Sequence, residues 1–126
     1  MAYTINLTNG TILATIADGT INTSSSMTLI GKNYAGYGQF LDDNFIHLLE
    51  NSSNSTAPSA PLTGQLWWNS TATTLNVYSG SAWKRVGGAT SSSSAPSSPV
   101  SGDLWYDSTN AQLKVYSGSK IGRAHV

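Results

Sequence analysis

Cysteine is absent from this 126-residue chain, so neither a disulfide framework nor a thiolate metal site is available. Charge is scarce as well: six basic side chains balance six acidic ones, for a formal net charge of zero. Binding to a nucleic-acid backbone depends on clustered Lys and Arg, so nucleic acid is not an expected partner. No apolar run approaches the ~20 residues that span a bilayer, and membrane insertion is not expected either. Met1-Ala2-Tyr3 has neither a basic start nor an apolar stretch, so no secretory signal is read there.

Recognisable reaction chemistry is missing too. His47 lies among apolar residues, where an imidazole is far more often a structural or surface group than a catalyst. Asp42 and Asp43 are adjacent on a predicted helix, so their carboxylates diverge and do not form a facing pair. Gly36-Tyr37-Gly38 has no strand before it and no third glycine, which removes it as a phosphate loop. No Ser/His/Asp order or metal-ligand spacing occurs. The expectation is a protein that is not an enzyme, with no catalytic residue, no metal and no cofactor.

What the chain does contain is a repeat. Gly64-Gln65-Leu66-Trp67-Trp68-Asn69-Ser70-Thr71, followed by Leu75-Asn76-Val77-Tyr78-Ser79-Gly80-Ser81, returns 38 residues later. There it reads Gly102-Asp103-Leu104-Trp105-Tyr106-Asp107-Ser108-Thr109, then Leu113-Lys114-Val115-Tyr116-Ser117-Gly118-Ser119. A fixed period with matched turns and aromatics marks an array of supersecondary units. Each unit reads as three strands: Leu66 to Asn69, Leu75 to Tyr78 and Ala82 to Val86 in the first. Alternation puts Leu66, Trp68, Leu75 and Val77 on one face and turns Trp67 and Tyr78 elsewhere. A sheet this small with aromatics on both faces needs cover from other chains or units, and a parallel homotrimer is the expectation.

Before the repeats, Tyr3, Ile5 and Leu7 alternate with polar residues, as in a half-buried strand. Asn9-Gly10 is a hairpin signal, Thr11 to Ala17 the return strand, and Met27 to Ile30 a further strand, giving a small β-meander. Gln39 to Glu50 then shows helical spacing, with Leu41, Phe45, Leu48 and Leu49 in one stripe. Asp42 and Asp43 are placed in its first turns and Asn51 at its C-terminal stop. So short a helix must pack its stripe on the meander or on another chain.

The fold class is therefore mainly β with one short α-helix. Residues 1–51 form the meander and helix, 52–63 a Pro-bearing linker, 64–87 the first repeat, 88–101 a second linker and 102–119 the second repeat. That repeat reads as truncated. Where the period calls for Ala-Trp, as at Ala82-Trp83, the chain ends Lys120-Ile121-Gly122-Arg123-Ala124-His125-Val126. Those residues back-translate to AAG-ATC-GGA-AGA-GCA-CAC-GTC, which looks like a sequencing-library adapter read through as protein. Residues 120–126 are accordingly expected to be non-native.

Two readings compete for the recurring aromatics Trp67, Trp68, Tyr78, Trp83, Trp105, Tyr106 and Tyr116. Flat rings with polar edges suit stacking on glycan rings. They equally suit cross-strand pairing and packing against neighbours, which a unit this small needs for its own core.

Leu29-Ile30-Gly31-Lys32-Asn33-Tyr34, Tyr37-Gly38 and Asn44-Phe45-Ile46-His47-Leu48-Leu49-Glu50-Asn51 resemble the N-terminal part of tail-fibre-like virion structural proteins. Those proteins belong to tailed bacteriophages, especially marine contractile-tailed ones. The Gly-(Gln/Asp)-Leu-Trp-(Trp/Tyr)-(Asn/Asp)-Ser-Thr units resemble the repeats that follow it there. The resemblance covers nearly the whole chain up to Ser119. It implies an elongated trimeric virion component, made in the host cytoplasm and mounted in the tail through residues 1–51. Other tail or baseplate proteins would be its partners, and a host surface glycan its target. A reading from another class is a polysaccharide or cell-wall binding module of a larger enzyme.

Overall fold

The computed structural model describes residues 1–123; Ala124, His125 and Val126 lie outside the described residues, with that part of the expected non-native tail. The chain is mainly β, with one short helix and several small sheets among the described residues. It divides into two compact units, Met1–Val86 and a second that starts at Gly87. The N-terminal elements and the first repeat thus share one body.

In the first unit, β1 (Tyr3–Asn6) pairs antiparallel with β2 (Ile12–Ile16). Register places Tyr3 opposite Ile16 and Ile5 opposite Ala14, so the apolar sides of both strands coincide as alternation predicts. Ile16 is the most deeply buried side chain, with Ala14 beside it. In the turn between them only Gly10 takes a positive φ, 86°, and its N–H closes on the Leu7 carbonyl at 2.9 Å. The hairpin expected at Asn9-Gly10 is therefore closed by a longer loop with a glycine bulge, and the register shifts between Ile5 and Asn6.

The expected continuous meander separates into two pairs. β3 (Ile21–Asn22) and β4 (Leu29–Ile30) form their own two-stranded sheet. Gly31, just after β4, crosses the end of β2. A Cβ there would land on the Ala17 carbonyl oxygen and 2.8 Å from that of Thr20, so no side chain fits without moving backbone.

Helix α1 (Tyr37–Leu49) starts two residues earlier than its periodicity suggests, from Gly36 at φ 78° and without a side-chain cap. Asp42 and Asp43 consequently fall beyond the first turn, which contains no acidic residue, and are not placed to favour the helix dipole there. The other end agrees with expectation. Asn51 sits at φ 51°, its N–H bonds the Leu48 carbonyl at 3.2 Å, and the Ser52 N–H bonds that of His47 at 2.7 Å. That pair of bonds is a Schellman stop. The helix docks through Phe40, whose ring meets Tyr34 at 5.8 Å, and through Asn44. The Asn44 amide donates to the Thr28 carbonyl at 2.8 Å and accepts from the Thr28 N–H at 3.1 Å, acting as an extra rung beside β4.

The first repeat contributes β5 (Leu66–Asn69), β6 (Thr74–Tyr78) and β7 (Trp83–Arg85) in the order β5-β6-β7. In the second unit, β8 (Thr90–Ser92), β9 (Leu104–Asp107), β10 (Gln112–Tyr116) and β11 (Ile121–Arg123) form a sheet ordered β11-β10-β9-β8. Two findings depart from the three-strand reading. The segments read as linkers join the sheets: β8 runs parallel to β9, and Asn54 makes the equivalent parallel bridge, an isolated one, to Asn69. Ile121–Arg123, read as tail, pair with β10 in the register that Trp83–Arg85 keep with β6. Main-chain ladders need no particular side chains, which is why neither strand was evident from residue patterns.

Candidate functional site

Each repeat is built from matched local devices. Asn69 Oδ1 accepts from the Thr71 and Ala72 N–H groups, both at 3.0 Å, and Asp107 Oδ1 accepts from Thr109 and Asn110 at 3.0 and 3.2 Å. These side chains bend the chain between the first two strands, as Asn and Asp do in Asx turns. Gly80 and Gly118, at φ 99° and 96°, form the next turn in each unit.

The two sheet faces differ sharply. On one, Trp67 and Trp105 are each 8% exposed. Each indole N–H donates at 3.1 Å to the carbonyl of a linker residue, Asn54 or Ser92, 38 residues apart like the rest. Trp67 and Trp105 therefore hold linker to sheet and offer no open ring for a sugar. Trp83 stands opposite Tyr78 in register and meets its ring at 5.3 Å and that of Trp67 at 5.4 Å, edge-on to the latter. Tyr78, Trp83 and Tyr116 are half-buried on this side.

The second unit fills the same space differently. Ile121 stands where Trp83 does, and Lys114 replaces Asn76. Its ammonium lies 4.6 Å from the centre of the Trp105 ring and 2.7 Å from Asp107 Oδ2. A hydrogen bond from the Asn110 side chain at 2.8 Å, then the Lys114 bond, hold the Asp107 carboxyl well below the usual carboxylate range. The first unit has a neutral counterpart, Asn76, whose amide donates to the Thr74 carbonyl at 3.0 Å.

The opposite faces are apolar and uncovered. Leu66 and Trp68 are 40% and 38% exposed, and their counterparts Leu104 and Tyr106 are both 40% exposed. Leu75 and Val77 stand across from them in the first unit, Leu113 and Val115 in the second. Of the seven recurring aromatics, Trp68 and Tyr106 are thus the two that are exposed. Within the strands their face carries few polar groups: Lys84 at one edge of the first unit, Ser91 at one edge of the second.

A third uncovered surface was half-legible. The predicted stripe exists, but it does not pack on the β-pairs: Leu41, Phe45, Leu48 and Leu49 are all exposed. Sequence reasoning missed Asn44 and Phe40 as the docking residues, since neither belongs to the stripe.

His47 is exposed and borders an open pocket with Ser26, Ser52 and Asn54, and no carboxylate or second imidazole lines that pocket. Among the described residues no group of three His, Cys, Asp or Glu side chains is placed to hold a metal ion. No helix among them is long and apolar enough to cross a membrane. Comparison with protein-family models, with curated proteins and with solved structures finds no match.

Proposed function

We propose that this chain is a structural and adhesive component of a phage tail fibre, contributing to host attachment. In this reading it assembles as a parallel homotrimer and joins other tail or baseplate proteins through its N-terminal part. The repeats act as a shaft or as weak contacts to a host surface glycan. The observation that carries the proposal is the recurrence of uncovered apolar side chains at equivalent positions, Leu66 with Leu104 and Trp68 with Tyr106. Apolar surface that recurs with the repeat suits a chain covered by copies of itself along its length. The resemblance of residues 29–51 and of the repeats to tail-fibre-like proteins supplies the setting. Weak contacts suffice there, because linked sites raise the effective concentration.

Two measurements test it. Sedimentation equilibrium of the purified chain at micromolar concentration is expected to give a trimeric mass. A monomer that binds on a glycan array would instead favour a polysaccharide-binding module of a larger enzyme. Long sequencing reads across codon 119 are expected to run into Ala-Trp and further repeats, beside genes for other tail components. A neighbourhood of polysaccharide-degrading enzymes would overturn the assignment.

A further inference from the structure

The uncovered apolar surfaces differ in one respect: among the described residues the repeat faces occur twice and the helix stripe once. We infer that the stripe of α1 seats the same stripe of a second copy, and that this contact fixes how assembled copies align. The inference rests on the self-association proposed above and goes beyond it by assigning alignment to the helix.

Size is the first argument. Tyr37, Leu41, Phe45, Leu48 and Leu49 are 62%, 41%, 58%, 60% and 79% exposed. At about 200 Å² for a large apolar residue, that is on the order of 600 Å² per copy. A stable interface buries about 800 Å² per partner, so the stripe supplies most of one. By the same estimate Leu66, Trp68 and Val86 supply roughly 250 Å², and the second repeat about as much. A single repeat face is therefore too small to hold two copies together, and the stripe with both repeats exceeds what is needed.

Discrimination is the second argument. Sliding one copy by 38 residues sets the first repeat against the second, where Leu meets Leu and Trp68 meets Tyr106. The faces are too alike to reject that slip. The helix has no second copy among the described residues to slip onto, so only the aligned arrangement covers it. Its stripe also lacks charge: Asp42 flanks it, and Asp43 and Glu50 fall on the opposite side by helical spacing. Nothing along the stripe opposes a like surface.

The cysteine-free chain permits a direct test. Copies carrying Ser70→Cys are mixed with copies carrying Ser108→Cys, both at exposed positions 38 residues apart, and oxidised. Aligned assembly gives 70–70 and 108–108 products without the mixed 70–108 product. Adding Phe45→Glu and Leu48→Glu is expected to weaken association at least tenfold and to bring the mixed product to parity in what remains. Both sites are exposed, so helical circular dichroism should be kept; Phe45→Ser with Leu48→Ser is a gentler version with the same expected direction. Trp68→Lys with Tyr106→Lys should weaken association while keeping alignment. If the helix variants associate and align as the parent does, or the repeat variant is the one that loses alignment, the inference is overturned and the proposed assembly stands. A parent chain that stays monomeric at about 100 µM overturns both.

Discussion

Removing the Trp83 ring should unpick the first repeat and leave the second intact. The indole meets Tyr78 at 5.3 Å and Trp67 at 5.4 Å. Two aromatic pairs contribute about 1–3 kcal/mol beyond area burial. The apolar area of a half-buried indole adds about 1–2 kcal/mol. Trp83→Ala is then expected to cost about 2–5 kcal/mol, overlapping the range for large aromatics truncated in cores. Hydrogen exchange resolved by peptide is the assay, because it reads the two repeats separately. Amides of β6 should lose protection roughly 30- to 4,000-fold, at about 1.4 kcal/mol per tenfold. Those of β10 should not change, since Ile121 already stands at the matching place. The reverse substitution, Ile121→Trp, should raise protection in β10 by building the missing ring cluster. Equal loss in both repeats, or less than about 1 kcal/mol in the first, would refute the idea that this cluster holds the unit.

Three more outcomes follow from particular contacts. Asp107 titrates lower in the folded chain than the ordinary carboxylate near 3.9, so its contribution is complete above that value and is lost as pH falls toward the folded one. Urea unfolding at pH 3 should therefore weaken the second repeat more than the first, Asp107→Asn should remove the difference, and parallel loss in both would contradict it. Gly31→Ala should destabilise the first unit by about 2–3 kcal/mol, because the new methyl meets backbone carbonyls; a melting temperature unchanged within error would show that the crossing can open. Asn44→Ala strands the Thr28 N–H and carbonyl, at about 1–3 kcal/mol, and should raise exchange in β4 and α1 together. Exchange confined to the helix would mean that the amide does not dock it.

The repeat was legible in the sequence because its devices depend on side-chain identity. Glycines recur where φ must be positive, Asn69 or Asp107 recurs where the chain must bend, and alternation sorts Trp67 from Trp68. The linker strands were hidden for the opposite reason. Thr90–Ser92 show no apolar alternation, and their place depends on main-chain bonds and on one indole donor. Helical spacing located the stripe of α1, yet the helix start was obscured by Gly36, which caps without a side-chain signature. The face that docks carries Asn44 and Phe40, whose contacts to Thr28 and Tyr34 no hydrophobic pattern marks. Trp67 and Trp105, which hold the linkers, and Trp68 and Tyr106, which stay exposed, could be separated only once the linkers were in place.

The parallel strand at the start of the second repeat has a mechanical consequence. In the second unit β8 runs with β9, β10 runs against them, and β11 runs with β8 again. The chain thus enters at one end of the sheet's strands and leaves at the other, along the two outer edges. A pull on the two chain ends slides these edges past each other, and the rungs across the sheet resist together. Had the entering strand been antiparallel, entry and exit would fall at the same end and the rungs would break in succession. A few strands of three to five residues can in this way withstand tension that would unzip a hairpin of the same length.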